Sequence, residues 1–142
     1  MPNHAHAIVT DGRGNFALET VTLGDPERNE VLVEIHASGV CHTDFDSMSW
    51  GRRIIMGHEG AGIVVATGPD VTHVSSGDRV LLNWAIPCGE CFQCRRGAEN
   101  ICEEQPTVPD ARYGGSLNSS FHLGTMSTHA VVPSQAVVPI HV

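Results

Sequence analysis

The sequence predicts a mainly β fold, a barrel or sandwich of short strands, carrying a lobe braced by metal. Two observations carry this reading. Short apolar or alternating runs recur along the chain, separated by Gly, Pro, Asp and Asn turn signals, and no long helical period is visible. Four cysteines, Cys88, Cys91, Cys94 and Cys102, stand in C-x2-C-x2-C-x7-C spacing, enough thiolate to enclose one tetrahedral zinc.

The elements follow in order. Ala7–Thr10 and Phe16–Leu23 flank the turn Asp11-Gly12-Arg13-Gly14 and read as a hairpin. Glu30–Ile35 alternates, with Val31, Val33 and Ile35 on one face. Ala61–Ala66 is small and apolar, and Val80–Trp84 follows the turn Gly77-Asp78. Thr128–Val132 and Ala136–Ile140 are parted by Pro133-Ser134. Short helices are expected near His42–Asp44 and Arg95–Asn100, and Glu103–Leu117 reads as an exposed polar loop. Gly12-Arg13-Gly14-Asn15-Phe16-Ala17 matches G-x-G-x-x-A. A dinucleotide fingerprint opens a helix, whereas a strand follows here, so the run reads as a hairpin turn.

Bulk properties bound the function. A chain of 142 residues suits one domain, able to bury about 68–70% of its unfolded surface. A net charge of −8 argues against nucleic-acid and anionic-membrane partners. No apolar run approaches the roughly 20 residues of a membrane span, and the N-terminus lacks the pattern of a secretory signal. All five cysteines fall within candidate metal sites. That usage argues for a reducing compartment, with a cytoplasmic location as the expectation.

Besides the four-cysteine lobe there is a mixed pair, Cys41 in GVCHTD and His58 in GHEGAG. The lobe spacing is hard to reconcile with scattered buried thiols or a redox pair. A lone His58 would read as a core histidine; its pairing with Cys41 makes both candidate ligands.

GVCHTD (Gly39–Asp44), GHEGAGIV (Gly57–Val64), GDRV (Gly77–Val80) and the cysteine lobe, in this order, resemble the zinc-dependent medium-chain alcohol dehydrogenases along nearly the whole chain. The resemblance implies a GroES-like twisted β-barrel as the catalytic domain over residues 1–142, with a structural zinc lobe at residues 87–103. It further implies that Cys41 and His58 bind a catalytic zinc, that Thr43 takes the substrate proton, and that Asp44 orients the zinc-binding histidine. Glu59 resembles an acidic neighbour able to approach the metal, although an ordinary solvated carboxylate is the competing reading. His42 matches a position near the coenzyme pyrophosphate. Trp84 matches a substrate-pocket position, with barrel core as the alternative, and Leu123 is a second pocket candidate. The remaining histidines have no motif context.

The resemblance implies reversible oxidation of an alcohol to an aldehyde or ketone with NAD or NADP, small-molecule substrates and a homo-oligomeric parent. A thiol-adduct formaldehyde dehydrogenase of the same superfamily is a near alternative; a stand-alone zinc-binding interaction module is the alternative from another class. The sequence also departs from the family pattern. No cysteine follows Cys102, the stretch between Cys41 and His58 is short, and Asp46 stands where many relatives place a proton-relaying histidine. There is no strand–GxGxxG–helix unit, so the coenzyme domain is expected to be missing and the chain to be inactive alone.

Overall fold

A computed structural model describes residues 4–104, 118–119 and 123–141. The chain opens with an antiparallel hairpin of His4–Thr10 (β1) and Phe16–Thr22 (β2), paired from His4↔Thr22 to Thr10↔Phe16. Its turn places Gly12 and Gly14 at φ +74 and +94, left-handed values that glycine adopts without a Cβ penalty. A strand follows at once, so G-x-G-x-x-A is a hairpin turn.

Glu30–Ser38 (β3) leads to the helix His42–Ser47 (α1) and the two-residue strand Ile54–Ile55 (β4). Gly60–Thr67 (β5) and Arg79–Leu82 (β6) follow, then the short helix Phe92–Arg95 (α2) and a 3-10 turn at Glu99–Ile101. Asn118–Ser119 (β7), His129–Pro133 (β8) and Val137–Pro139 (β9) complete the strands. They form two sheets, β2-β1-β4-β7 and β8-β3-β5-β6-β9. The fold is the mainly β architecture of short strands expected from the sequence.

Strand β3 separates two cores. Val31 and Val33 point into a cluster with Val64, Val80, Leu82 and Val132, and Ile35 packs against it. Leu32 points the other way, into a cluster with Ala7, Val9, Val21, Ile55 and Val131. The period-2 alternation of a strand produces this split; β3 is buried on both faces at its centre because the hairpin sheet folds over it.

Several expected boundaries shift. The strand expected over Val80–Trp84 ends at Leu82, because Asn83 turns the chain: its Oδ1 accepts the Ala85 N–H at 3.0 Å, an Asx turn. The helix expected near Arg95–Asn100 starts earlier, at Phe92, since Cys91 Sγ accepts the Cys94 N–H at its N-terminus. Gly97, at φ +82, separates it from the 3-10 turn. Of the expected loop Glu103–Leu117, Glu103 and Glu104 are exposed, and residues 105–117 lie outside the described residues, as does His122. Among the described residues no helix is long and apolar enough to cross a membrane.

Candidate metal centres

Strands β3 and β5 are antiparallel neighbours, and Ser38↔Gly60 is the last pair of their ladder. Cys41 lies just beyond Ser38 and His58 just before Gly60, so the register brings the two residues to the same end of one ladder. A slip by one residue would turn every side chain to the opposite face. The His58 segment is held from behind. Thr125 N–H donates to the Gly57 carbonyl at 3.0 Å and Met126 N–H to that of Met56 at 2.9 Å. Gly57 has φ +92, and a Cβ there would lie 2.5 Å from Met126 N. Nothing in the sequence around Thr125 signals this support, which comes from a segment far along the chain.

One donor atom each from Cys41, His58 and Glu59 lies within 4.8 Å of the others. His58 is buried, Cys41 partly buried and Glu59 half-exposed. Asp44 joins the first two. Its Oδ2 accepts the Cys41 N–H at 2.8 Å, and its Oδ1 lies 3.4 Å from His58 Nδ1. A carboxylate behind Nδ1 leaves Nε2 as the outward donor atom, the arrangement that orients a ligating imidazole. Glu59 Oε1 faces Nε2 at 4.0 Å. Thr43 Oγ1 is 3.6 Å from Cys41 Sγ. A sulfur, an imidazole and a carboxylate with solvent on one side suit a zinc that keeps a position open.

The second cluster is all sulfur. Cys88, Cys91, Cys94 and Cys102 each place a sulfur within 4.8 Å of the others. Backbone N–H groups point at these sulfurs: Glu90 and Cys91 donate to Cys88 Sγ at 3.4 and 3.3 Å, and Cys88 to Cys102 Sγ at 3.3 Å. The Cys91 thiol is drawn down to about 6, first by the Cys94 backbone N–H. The buried Cys94 is pushed up to about 12, chiefly by desolvation. Crowded thiols cannot all ionise without a cation among them, and four thiolates around one zinc fit the closed, structural kind of site.

Residues 27–142 match the family model for the alcohol dehydrogenase GroES-like domain. The chain belongs to this family. It is the N-terminal domain of the zinc-type medium-chain alcohol dehydrogenases, as the order of its motifs implied. An S-(hydroxymethyl)glutathione dehydrogenase of Candida maltosa is 33% identical over 95% of the chain and 40% of its own length. The benzyl alcohol dehydrogenase of Acinetobacter calcoaceticus is 30% identical and superposes with a TM-score of 0.87 over 99% of this chain and 42% of its own. A zinc-binding dehydrogenase of Sinorhizobium meliloti 1021, solved bound to NADP, is 26% identical with a TM-score of 0.72 over 99% of this chain and 40% of its own. The chain thus spans about 40% of the length of these relatives.

In this alcohol dehydrogenase domain an open groove of about 330 Å³ runs beside His58 and Glu59, walled by Leu81, Leu82, Asn83 and Trp84. Trp84 is 43% exposed, and its ring meets that of His58 edge-on at 6.3 Å between centroids. It stands at the groove and not in the barrel core. Leu123, expected as a second pocket residue, is fully buried in the core with Val31, Leu82 and Ile86 and is absent from the groove wall. The reason is its place in the segment that returns beneath the His58 turn toward β8. His42 is exposed on α1, with Nε2 3.9 Å from Asp46 Oδ1 one turn on.

Proposed function

We propose that this domain provides the substrate half of a zinc-dependent, NAD- or NADP-linked alcohol dehydrogenase that oxidises primary or secondary alcohols to aldehydes or ketones. The observation that carries the reading is the convergence of Cys41, His58 and Glu59 beside an open groove. Cys41 and His58, assisted by Glu59, would hold the catalytic zinc, and the four-cysteine lobe the structural one. A zinc with an open position lowers the pKa of a hydroxyl, so that an alcohol can lose its proton near neutral pH.

The chain's own residues supply the rest. Thr43 Oγ1, beside the Cys41 sulfur, takes the substrate proton. Asp46 stands in place of a relaying histidine and is exposed, so the proton passes from Thr43 to solvent with no imidazole between. Asp44 fixes the His58 ring and the backbone of Cys41 together. Trp84 and Leu82 form the apolar wall against which a substrate side chain packs. His42, exposed at the start of α1, would contribute a polar contact to the coenzyme's pyrophosphate.

The NADP-bound neighbour from Sinorhizobium meliloti supports a nicotinamide partner. The Candida maltosa relative supports, as a second substrate class, the adduct of formaldehyde with a thiol. All five cysteines stand at candidate metal-ligand positions and none pairs in a disulfide, which favours a reducing, cytoplasmic setting. A homo-oligomeric parent follows from the family reading alone.

Among the described residues no Gly-rich turn joins a strand to a nucleotide-binding helix. Residues 1–142 alone should therefore form no NAD(P)H, since positioning of the two reactants accounts for about 7–11 kcal/mol of such a barrier. The test joins this chain to the coenzyme domain of a relative and follows NAD(P)H formation over a panel of alcohols. Turnover that requires zinc and disappears in Cys41→Ala and His58→Ala supports the reading; turnover indifferent to both substitutions overturns it.

A further inference from the structure

Glu59 is half-exposed, and a surface glutamate ordinarily samples several rotamers. Here its carboxylate has a defined seat. The Gly39 N–H donates to the Glu59 carbonyl at 2.8 Å, extending the contact between β3 and β5 one step past Ser38↔Gly60. The Glu59 side chain then folds over the Gly39 Cα. Its Oε2 occupies the space that a Cβ on Gly39 would need, with Glu59 Cβ and Cδ at 3.1 and 3.3 Å from that position. The other oxygen, Oε1, faces His58 Nε2. Gly39 is not among the glycines with positive φ, so the backbone there does not demand glycine. What demands it is the volume taken by the carboxylate.

We propose that Gly39 is a positioning residue of the Cys41–His58–Glu59 centre: by lacking a Cβ it reserves the seat that holds the Glu59 carboxylate within reach of a divalent cation bound by Cys41 and His58. The inference rests on reading those three residues as a metal centre. Alanine at residue 39 is met mainly by the far end of a flexible side chain. It should therefore displace the carboxylate before it disturbs the sheet, converting a three-donor centre into a two-donor one.

The experiment uses the 142-residue chain with its lobe loaded with zinc and cobalt(II) titrated into the second site, read by the visible absorption of a cobalt–thiolate centre. Circular dichroism and retained lobe zinc report the fold. Gly39→Ala should weaken cobalt binding about 10-fold, the lower range for residues that orient metal ligands, and change the visible spectrum. Glu59→Gln should do the same. The double variant should be no weaker than Glu59→Gln alone, because the two changes remove one interaction.

Cobalt binding by Gly39→Ala equal to that of the unsubstituted chain, with Glu59→Gln weakened, overturns the role of Gly39 and leaves the centre standing. Glu59→Gln equal to the unsubstituted chain shows that the carboxylate does not act on the cation and overturns the proposal; binding that survives Cys41→Ala overturns the centre itself and the proposal with it. If Gly39→Ala does not fold, Gly39→Ala/Glu59→Asp, whose carboxylate is one methylene shorter, should fold. Failure of that variant too shows that glycine is needed for another reason, and the proposal falls.

Discussion

Asp44 Oδ1 stands 3.4 Å from His58 Nδ1, and both side chains are almost completely buried. The other oxygen of the same carboxylate accepts the backbone N–H of Cys41. One buried acid therefore sets the ring of one candidate ligand and the main chain of the other.

Asp44→Asn keeps the volume and removes the charge. It should weaken metal binding at the Cys41–His58 centre by about 10–100-fold and leave the lobe's metal in place. Competition against a chelating dye, with metal counted per chain, measures both.

The lobe should fold only around its metal. Cys94 is the one lobe cysteine fully within the protein, and Cys94→Ser should lose the structural zinc and open the lobe to protease. Structural zinc contributes about 10–16 kcal/mol of apparent binding free energy in small peptides. Unchanged zinc content and an unchanged proteolysis pattern would rule this out.

The two centres should release metal in order. Four thiolates at the lobe face a mixed set of sulfur, imidazole and carboxylate at the other site, and soft thiolate donors hold zinc the more firmly. A mild chelator should strip the Cys41–His58 centre first. Two zincs leaving together during a timed chelation would contradict it.

Leu123→Ala should act on stability. Removing a large, fully buried side chain costs about 2–5 kcal/mol, depending on how far the core closes over the gap. Denaturant unfolding of the metal-loaded chain would show it; a silent substitution would contradict the core placement of Leu123 and return it to the pocket role expected from the sequence.

The first hairpin should carry a small acid-sensitive contribution. Asp11 Oδ1 accepts the Arg13 and Asn15 N–H groups, and Oδ2 accepts from the Asn15 side chain. The Asn15 side chain first, then the Arg13 N–H, hold its carboxyl below the ordinary 3.8. A depressed folded pKa means that the contribution is complete above about 3.8 and is lost as pH falls through the folded value. Asp11→Asn should thus melt lower than the unsubstituted chain near neutral pH, and the gap should close toward pH 2. A gap that persists unchanged in acid would refute the titration.

Much of this was readable before folding. The hairpin, β3, β5 and the two last strands announce themselves by alternation and by Gly, Asp and Pro at their ends. The spacing of the cysteines specifies a four-sulfur lobe outright. What was not readable depends on partners distant in sequence. Ile54–Ile55 is too short to show any period, and it becomes a strand because Val9 and Thr10 lie alongside on one side and Asn118 and Ser119 on the other. Leu123 looks like any apolar residue near a glycine until the core closes over it. Trp84 was evenly balanced between core and groove, and the Asn83 turn decided it by ending β6 at Leu82, two residues before the expected end. The need for glycine at residue 39 stems from a side chain on the neighbouring strand, which no local pattern encodes.

The cysteine lobe has one more consequence. It leaves the barrel after Leu82 and Ile86, and no described residue from Trp84 to Glu104 takes part in either sheet's ladder. Its root is gripped by Ile86 in the core, while the rest hangs outside the hydrogen-bonded framework. The domain should therefore melt as two units: a cassette that opens when metal is withheld, and a scaffold that keeps its shape meanwhile and accepts the cassette back when metal returns.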